Sequence, residues 1–147
     1  MRISKNFTLS ELTKSNTATR LGISNTPDKE GIHKLRLLAT ELLQPLRNAV
    51  GPLRVTSGFR SYKLNKAIGG ARKSQHKEGK AADVVCKGRN AEIFRYIKAN
   101  LDFDQLIWEA GTDNEPDWIH ISYNGENNRN QSLKMVREGN KVRYYPF

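Results

Sequence analysis

Ser74-Gln75-His76-Lys77-Glu78-Gly79-Lys80-Ala81-Ala82-Asp83-Val84-Val85-Cys86 runs from a polar loop directly into an apolar strand. Residues 71–80 show no periodicity and read as loop, whereas Ala82 to Cys86 reads as a short strand. Asp83 is out of place in such a strand, because burying a carboxylate is costly unless it is paired or bound to a metal. Gly79 and Ala81 leave room for a close turn that returns His76 towards Asp83. A second stretch, Trp118-Ile119-His120-Ile121-Ser122-Tyr123, alternates like a strand. Alternation puts Trp118, His120 and Ser122 on one face and Ile119, Ile121 and Tyr123 on the other. A histidine on that face is able to meet His76 and Asp83 on a neighbouring strand.

Working outward, the run from Pro27 to about Val50 is predicted as a long helix. Ile32, Leu35, Leu38, Leu42, Leu46 and Val50 recur at helical spacing. Thr26 is expected to cap it, with Pro27 at the first helical position. Pro45 is expected to bend or end the helix near its last turn, and Gly51-Pro52 to stop it. Leu53 to Ser57 reads as a short strand, Tyr62 to Ile68 as a short helix and Asn90 to Asn100 as a helix. Phe103 to Glu109 alternates like a strand. Leu133 to Tyr145 reads as a hairpin turning at Glu138-Gly139-Asn140. This irregular mixture predicts an α+β fold, one domain over residues 1–147, with a mostly antiparallel sheet and flanking helices.

Composition narrows the function classes. The 147 residues include one cysteine, Cys86, which excludes an intramolecular disulfide and a cysteine-rich zinc finger. Only three histidines are present, His33, His76 and His120, so any histidine-based metal site draws on these. His33 stands off the apolar stripe of the long helix and reads as a surface residue. The net charge of +10 favours an anionic partner: nucleic acid, anionic lipid or an acidic wall polymer. That charge is uneven. Residues 54–98 carry net +9 and residues 101–128 carry net −7, so the pattern is not the aromatic-interleaved basic stripe of a nucleic-acid binder. No apolar run of signal-peptide length occurs in Met1 to Leu12, and no stretch of about 18 apolar residues occurs anywhere. The expectation is a chain made in a cytoplasm, without membrane insertion.

Two histidines and one carboxylate make a three-ligand set of the kind that leaves catalytic zinc an open position. Hydrolysis then needs a carboxylate as general base and a donor for the oxyanion. Here a family resemblance becomes specific. Ser74, His76, Gly79, Ala81 and Asp83 match the S-x-H-x-x-G-x-A-x-D motif of the M15 zinc peptidases, the D-alanyl-D-alanine carboxypeptidases and phage endolysin peptidases. Trp118-Ile119-His120 resembles the family's second motif. Val55-Thr56-Ser57-Gly58-Phe59-Arg60-Ser61 resembles its S-G-[YF]-R-S segment. The opening, Asn6 to Leu12, and the long helix are similar to the phage-type branch.

The resemblance implies the small α+β fold shared by D,D-peptidases and the hedgehog signalling domain. It implies Zn2+ held by His76, Asp83 and His120. It implies Arg60 as the residue that binds a substrate carbonyl or carboxylate and stabilises the oxyanion, with Ser74 as a substrate contact or a loop-structuring hydroxyl. The general base of the family is commonly a Glu three residues before the last histidine, and here that position is Asp117. Glu115 and Glu109 are the alternatives. The implied activity is hydrolysis of a peptide bond in peptidoglycan stem peptides by a monomeric phage or prophage lytic enzyme. It would be made in the host bacterial cytoplasm and act at the wall or periplasm after release. Peptidoglycan, an anionic wall polymer, is then the partner in place of nucleic acid. The rival readings are a non-catalytic zinc-binding virion module of the same fold and a nucleic-acid binder using the 54–98 segment.

Overall fold

The computed structural model describes residues 1–147. The chain begins with a small two-stranded ribbon, β1 (Arg2–Ser4) and β2 (Phe7–Thr8). Two short helices follow, α1 (Leu9–Thr13) and α2 (Asn16–Leu21). Both are too short for apolar periodicity to reveal, and side-chain caps define them. Thr8 accepts from the Glu11 amide while Glu11 reaches back to the Thr8 amide, and Ser15 accepts from Ala18.

The predicted long helix is present but starts and bends differently. It comprises α3 (Lys29–Leu38), a wide π-helical turn (Ala39–Leu43) and α4 (Gln44–Val50). Asp28, rather than Thr26, is the N-cap and accepts from Gly31 N at 2.8 Å. Pro45 has no amide hydrogen, and the wide turn just before it accommodates that loss, so the helix continues to Gly51. Leu35, Leu38, Leu42, Leu43 and Leu46 are sealed from solvent, each worth roughly 1.5–3 kcal/mol of burial.

The remaining elements are β3 (Arg54–Ser57), α5 (Tyr62–Ala67), a single 3-10 turn (Gln75–Glu78), β4 (Ala81–Val85), α6 (Asn90–Asn100), β5 (Gln105–Glu109), β6 (Trp118–Ser122), β7 (Gln131–Glu138) and β8 (Lys141–Pro146). The six strands form one sheet in the order β3-β4-β6-β5-β7-β8. Every pair is antiparallel except β5 with β7, as expected for a mostly antiparallel α+β domain.

Alternation divides the sheet cleanly. Ala82, Val84, Leu106, Trp108, Ile119 and Ile121 join the core with the long helix and α6. Asp83, His120, Ile107 and Glu109 take the opposite face and line a cavity. Phe94 of α6 meets Trp108 edge-on at 5.4 Å, which fixes the helix on the core face. No helix is long and apolar enough to cross a membrane.

Candidate metal centre and active site

Register builds the centre. Asp83 lies directly opposite His120 on β6, and Ser57 of β3 lies opposite Asp83 on the other side. The β3–β4 pairing slips between Val55 and Ser57, a bulge of the type that re-aims a strand end beside a site. His76 enters from the 3-10 turn. Ser74 caps that turn by accepting from His76 N at 3.2 Å, and Gly79 closes it at φ +76°. A Cβ on Gly79 would lie 2.7 Å from the Gly31 carbonyl, so glycine permits both the left-handed turn and the close approach to α3.

One ligand atom from each of His76, Asp83 and His120 lies within 4.8 Å of the other two. Asp83 Oδ1 stands 3.3 Å from His76 Nε2 and 3.1 Å from His120 Nδ1. Three ligands around one zinc ion would be spaced by about 3.4 Å, given metal–ligand bonds of about 2.1 Å. The imidazoles meet edge-on, with centroids 5.1 Å apart. His76 Nδ1 donates to the Gly58 carbonyl at 2.7 Å. A carbonyl only accepts, so the neutral ring carries its hydrogen on Nδ1 and turns the Nε2 lone pair towards Asp83. Two lone pairs facing each other at 3.3 Å repel, and a proton or a metal ion between them removes the repulsion. The donor set therefore fits a divalent metal, with His76 held by the outer hydrogen bond usual for such ligands.

Electrostatics agree with that fit. Burial lowers the His76 pKa, only partly opposed by Asp83, and favours the neutral, ligating form. Burial alone would raise Asp83, but the facing imidazoles of His120 and His76 hold it well below the usual carboxylate range. Arg60 is half-buried, with Nη2 3.8 Å from Asp83 Oδ2. Its Nε donates to Ser57 Oγ at 3.3 Å, and its backbone amide donates to the His76 carbonyl at 3.0 Å. Burial depresses its pKa, but the guanidinium remains the local cation.

The triplet lines a cavity of about 530 Å³ together with Arg60, Ser74, Glu109 and Trp118. A larger cleft of about 610 Å³ opens on the other side of Arg60, between α2 and β3, and contains none of the three ligand candidates.

Two expected residues fall elsewhere. Asp117 is exposed and lines a separate cleft with Arg54, Lys87 and Asn90, so it does not join the triplet. The cause is parity: three residues before His120, its side chain leaves the opposite face of the extended chain. Glu115 is spent as a cap, accepting from the Asn90 and Ala91 amides at the start of α6. Glu109 is the carboxylate that reaches the cavity. It is 7% exposed and pairs in register with Trp118, and its carboxyl group has no hydrogen-bond partner in the protein. Burial raises its pKa to about 7, against a smaller opposing effect of His120.

One supporting residue gives no sign of itself in the sequence pattern. Asp104, 2% exposed, accepts from Gln75 Nε2 at 2.7 Å and from Arg129 Nε and Nη2 at 2.9 and 2.8 Å. It ties the residue before His76 to the start of β5. Trp108 is core, whereas Trp118 is half-buried on the cavity wall. His33 is exposed, as expected.

Fold and site together define a small α+β protein with a two-histidine, one-carboxylate cluster able to hold a metal ion on one face of its sheet. The profile of the family described as Peptidase M15 matches residues 5–122, and the chain belongs to that family. A zinc D-Ala-D-Ala carboxypeptidase of Streptomyces albus G is 37% identical over 82 residues, which cover 54% of this chain. The match spans 32% of that relative's own length.

Proposed function

We propose that the protein is a zinc-dependent peptidase that hydrolyses peptide bonds in peptidoglycan stem peptides. The observation that carries this reading is the convergence of His76 Nε2, Asp83 Oδ1 and His120 Nδ1 in one cavity with Arg60 and Glu109. Family membership and the zinc carboxypeptidase relative support the metal and the substrate class. His76, Asp83 and His120 would hold the ion. When bound, zinc acts as a Lewis acid that acidifies water and polarises a carbonyl.

The chain's own groups supply the rest. Glu109 takes a proton from the attacking water and returns it to the leaving amine. It displaces Asp117 from that role because it is the carboxylate open to the cavity. Arg60 donates to the carbonyl oxygen as negative charge develops there, and Asp83 and Ser57 hold its guanidinium in place. Ser74 shapes the loop and borders the substrate. Exclusion of bulk water by the half-buried cavity strengthens each of these interactions.

The biological setting we propose is lysis of the bacterial wall by a phage-type enzyme acting as a monomer. The phage-like opening segment and long helix support it. The +9 segment, residues 54–98, would hold the enzyme on an anionic envelope.

Mass spectrometry of fragments released from purified peptidoglycan, with and without a chelator, tests the reading. Release of new amino termini that chelation stops and zinc restores is the expected result, and the fragment masses identify the bond. Zinc binding without any release of amino groups would overturn it in favour of a non-catalytic module.

A further inference from the structure

The family match stops at residue 122, yet β7 and β8 build one wall of the cavity. The parallel β5–β7 pairing sets Met135 beside Glu109. Met135 pairs with Tyr144 and Arg137 with Val142 across the hairpin, and all four line the cavity. Along the sheet the order is therefore Asp83, His120, Glu109, Arg137 and Tyr144, with Arg60 at the Asp83 end. Arg60 stands at one end of this order, and Arg137 with Tyr144 at the other.

The two faces of the hairpin treat their polar groups differently. On the face away from the cavity, Arg143 pairs with Glu138 at 2.9 Å and Tyr145 donates to Glu138 at 2.6 Å. On the cavity face, the Arg137 guanidinium and the Tyr144 hydroxyl have no hydrogen-bond or ion-pair partner in the protein. The end of β8 is anchored, because Phe147 meets Trp108 edge-on with centroids 5.3 Å apart. The β7 residue in register with His120 is Leu133, two strand spacings away, and Arg137 stands four residues further along β7, so about 16 Å, or about five residues of extended peptide, separates Arg137 from His120.

We propose that Arg137 and Tyr144 form a second anion subsite, which binds a substrate carboxylate about five residues from the scissile bond. The hairpin is then a specificity element added to the shared peptidase scaffold. This inference rests on the peptidase reading above.

The test uses the zinc-loaded full chain and a series of N-acetylated stem-type peptides. One carboxylate is walked along four to six positions from the cleaved bond, and each peptide is paired with its carboxamide twin. Amidation at one position is expected to raise KM about tenfold, as for loss of a charge-assisted hydrogen bond. Arg137→Gln should bring the carboxylate-to-carboxamide ratio of kcat/KM to one, Arg137→Lys should keep part of it, and Arg143→Gln should keep the wild-type ratio. No preference at any position, or a wild-type ratio in Arg137→Gln, overturns the subsite while cleavage of peptidoglycan keeps the peptidase reading intact. Equal loss of kcat on both twins in Arg137→Gln also overturns it, by tying Arg137 to Glu109. Wild-type protein that cleaves neither peptides nor peptidoglycan overturns the peptidase reading and the subsite with it.

Discussion

Asp83 and His120 are direct partners across the β4–β6 pair, and the carboxylate Oδ1 stands 3.1 Å from the imidazole Nδ1. Strand register thus sets two thirds of the candidate metal centre. A slip of one residue would send one of the two side chains into the core. The buried alternation on either side, Ala82 and Val84 against Ile119 and Ile121, holds the register. The third ligand arrives from a short turn and needs separate support.

Ligand removal gives the first prediction. The protein should bind one equivalent of zinc, and His76→Ala or His120→Ala should lower the affinity by more than the about 10–100-fold typical of outer partners. Isothermal titration with zinc measures this, and peptidoglycan cleavage should disappear in both variants. Tight one-to-one binding in His76→Ala would place the metal elsewhere.

The support of His76 gives the second. Gly58 offers its carbonyl to His76 Nδ1, and a Cβ at Gly58 would lie 2.3 Å from the Leu12 carbonyl oxygen. That oxygen belongs to backbone and already accepts from Phe59 N at 2.7 Å, so it has little room to yield. Gly58→Ala should destabilise the fold by about 2 kcal/mol or more. It should also weaken zinc binding by about 10–100-fold by moving an outer partner. Thermal melts of the metal-free and zinc-loaded protein separate the two effects.

Strong periodicity makes much of the fold legible in the amino-acid order. Asn90–Asn100 is a helix over the predicted span, since Ile93, Phe94 and Ile97 mark one face. The strands carrying Asp83 and His120 stand within a residue of expectation because their alternation is strong. The N-terminal helices leave no such trace, being one or two turns defined by caps. The placement of the proposed base is hidden for a different reason. Distance along the chain from His120 points to Asp117, but a strand reverses faces at every residue. Gln105, Ile107 and Glu109 share a face in the sequence pattern, yet only the β5–β6 register shows that this face is the one bearing His120.

The Asp104 clip gives the third prediction. Arg129 holds the Asp104 carboxyl down at about 2, helped by Gln75, so the folded state favours the ionised form. The clip therefore contributes stability above the unfolded value near 3.8, and loses it as pH falls from there through about 2. Asp104→Asn should cost about 2 kcal/mol at neutral pH, the scale of hydrogen bonds to a charged group. The difference from wild type should vanish below about pH 2. Urea midpoints across that range measure it. A constant difference would mean that charge is not what holds the clip.

Glu109 gives the last. Burial raises it from 4.5 to about 7, so the folded metal-free protein keeps a proton that the unfolded chain releases between those values. The folded state then binds more protons, and this group's contribution makes stability fall as pH rises through the window. At 1.36 kcal/mol per pKa unit the effect is up to about 3 kcal/mol. His76 titrates nearby in the opposite sense, so the informative quantity is the difference between wild type and Glu109→Gln, which isolates the carboxyl. That difference should grow between pH 4.5 and 7 in favour of the variant and then level off. A bound dication favours the carboxylate, so zinc binding at about pH 6 should release more protons from wild type than from Glu109→Gln. In the loaded enzyme the same substitution should lower kcat by about 10²–10⁴-fold, the usual range for a general base. Asp117→Asn should leave kcat within a factor of about three, as for a surface change away from the site. The reverse ranking of the two variants would return the base to Asp117 and require the loop before β6 to fold inward when substrate binds.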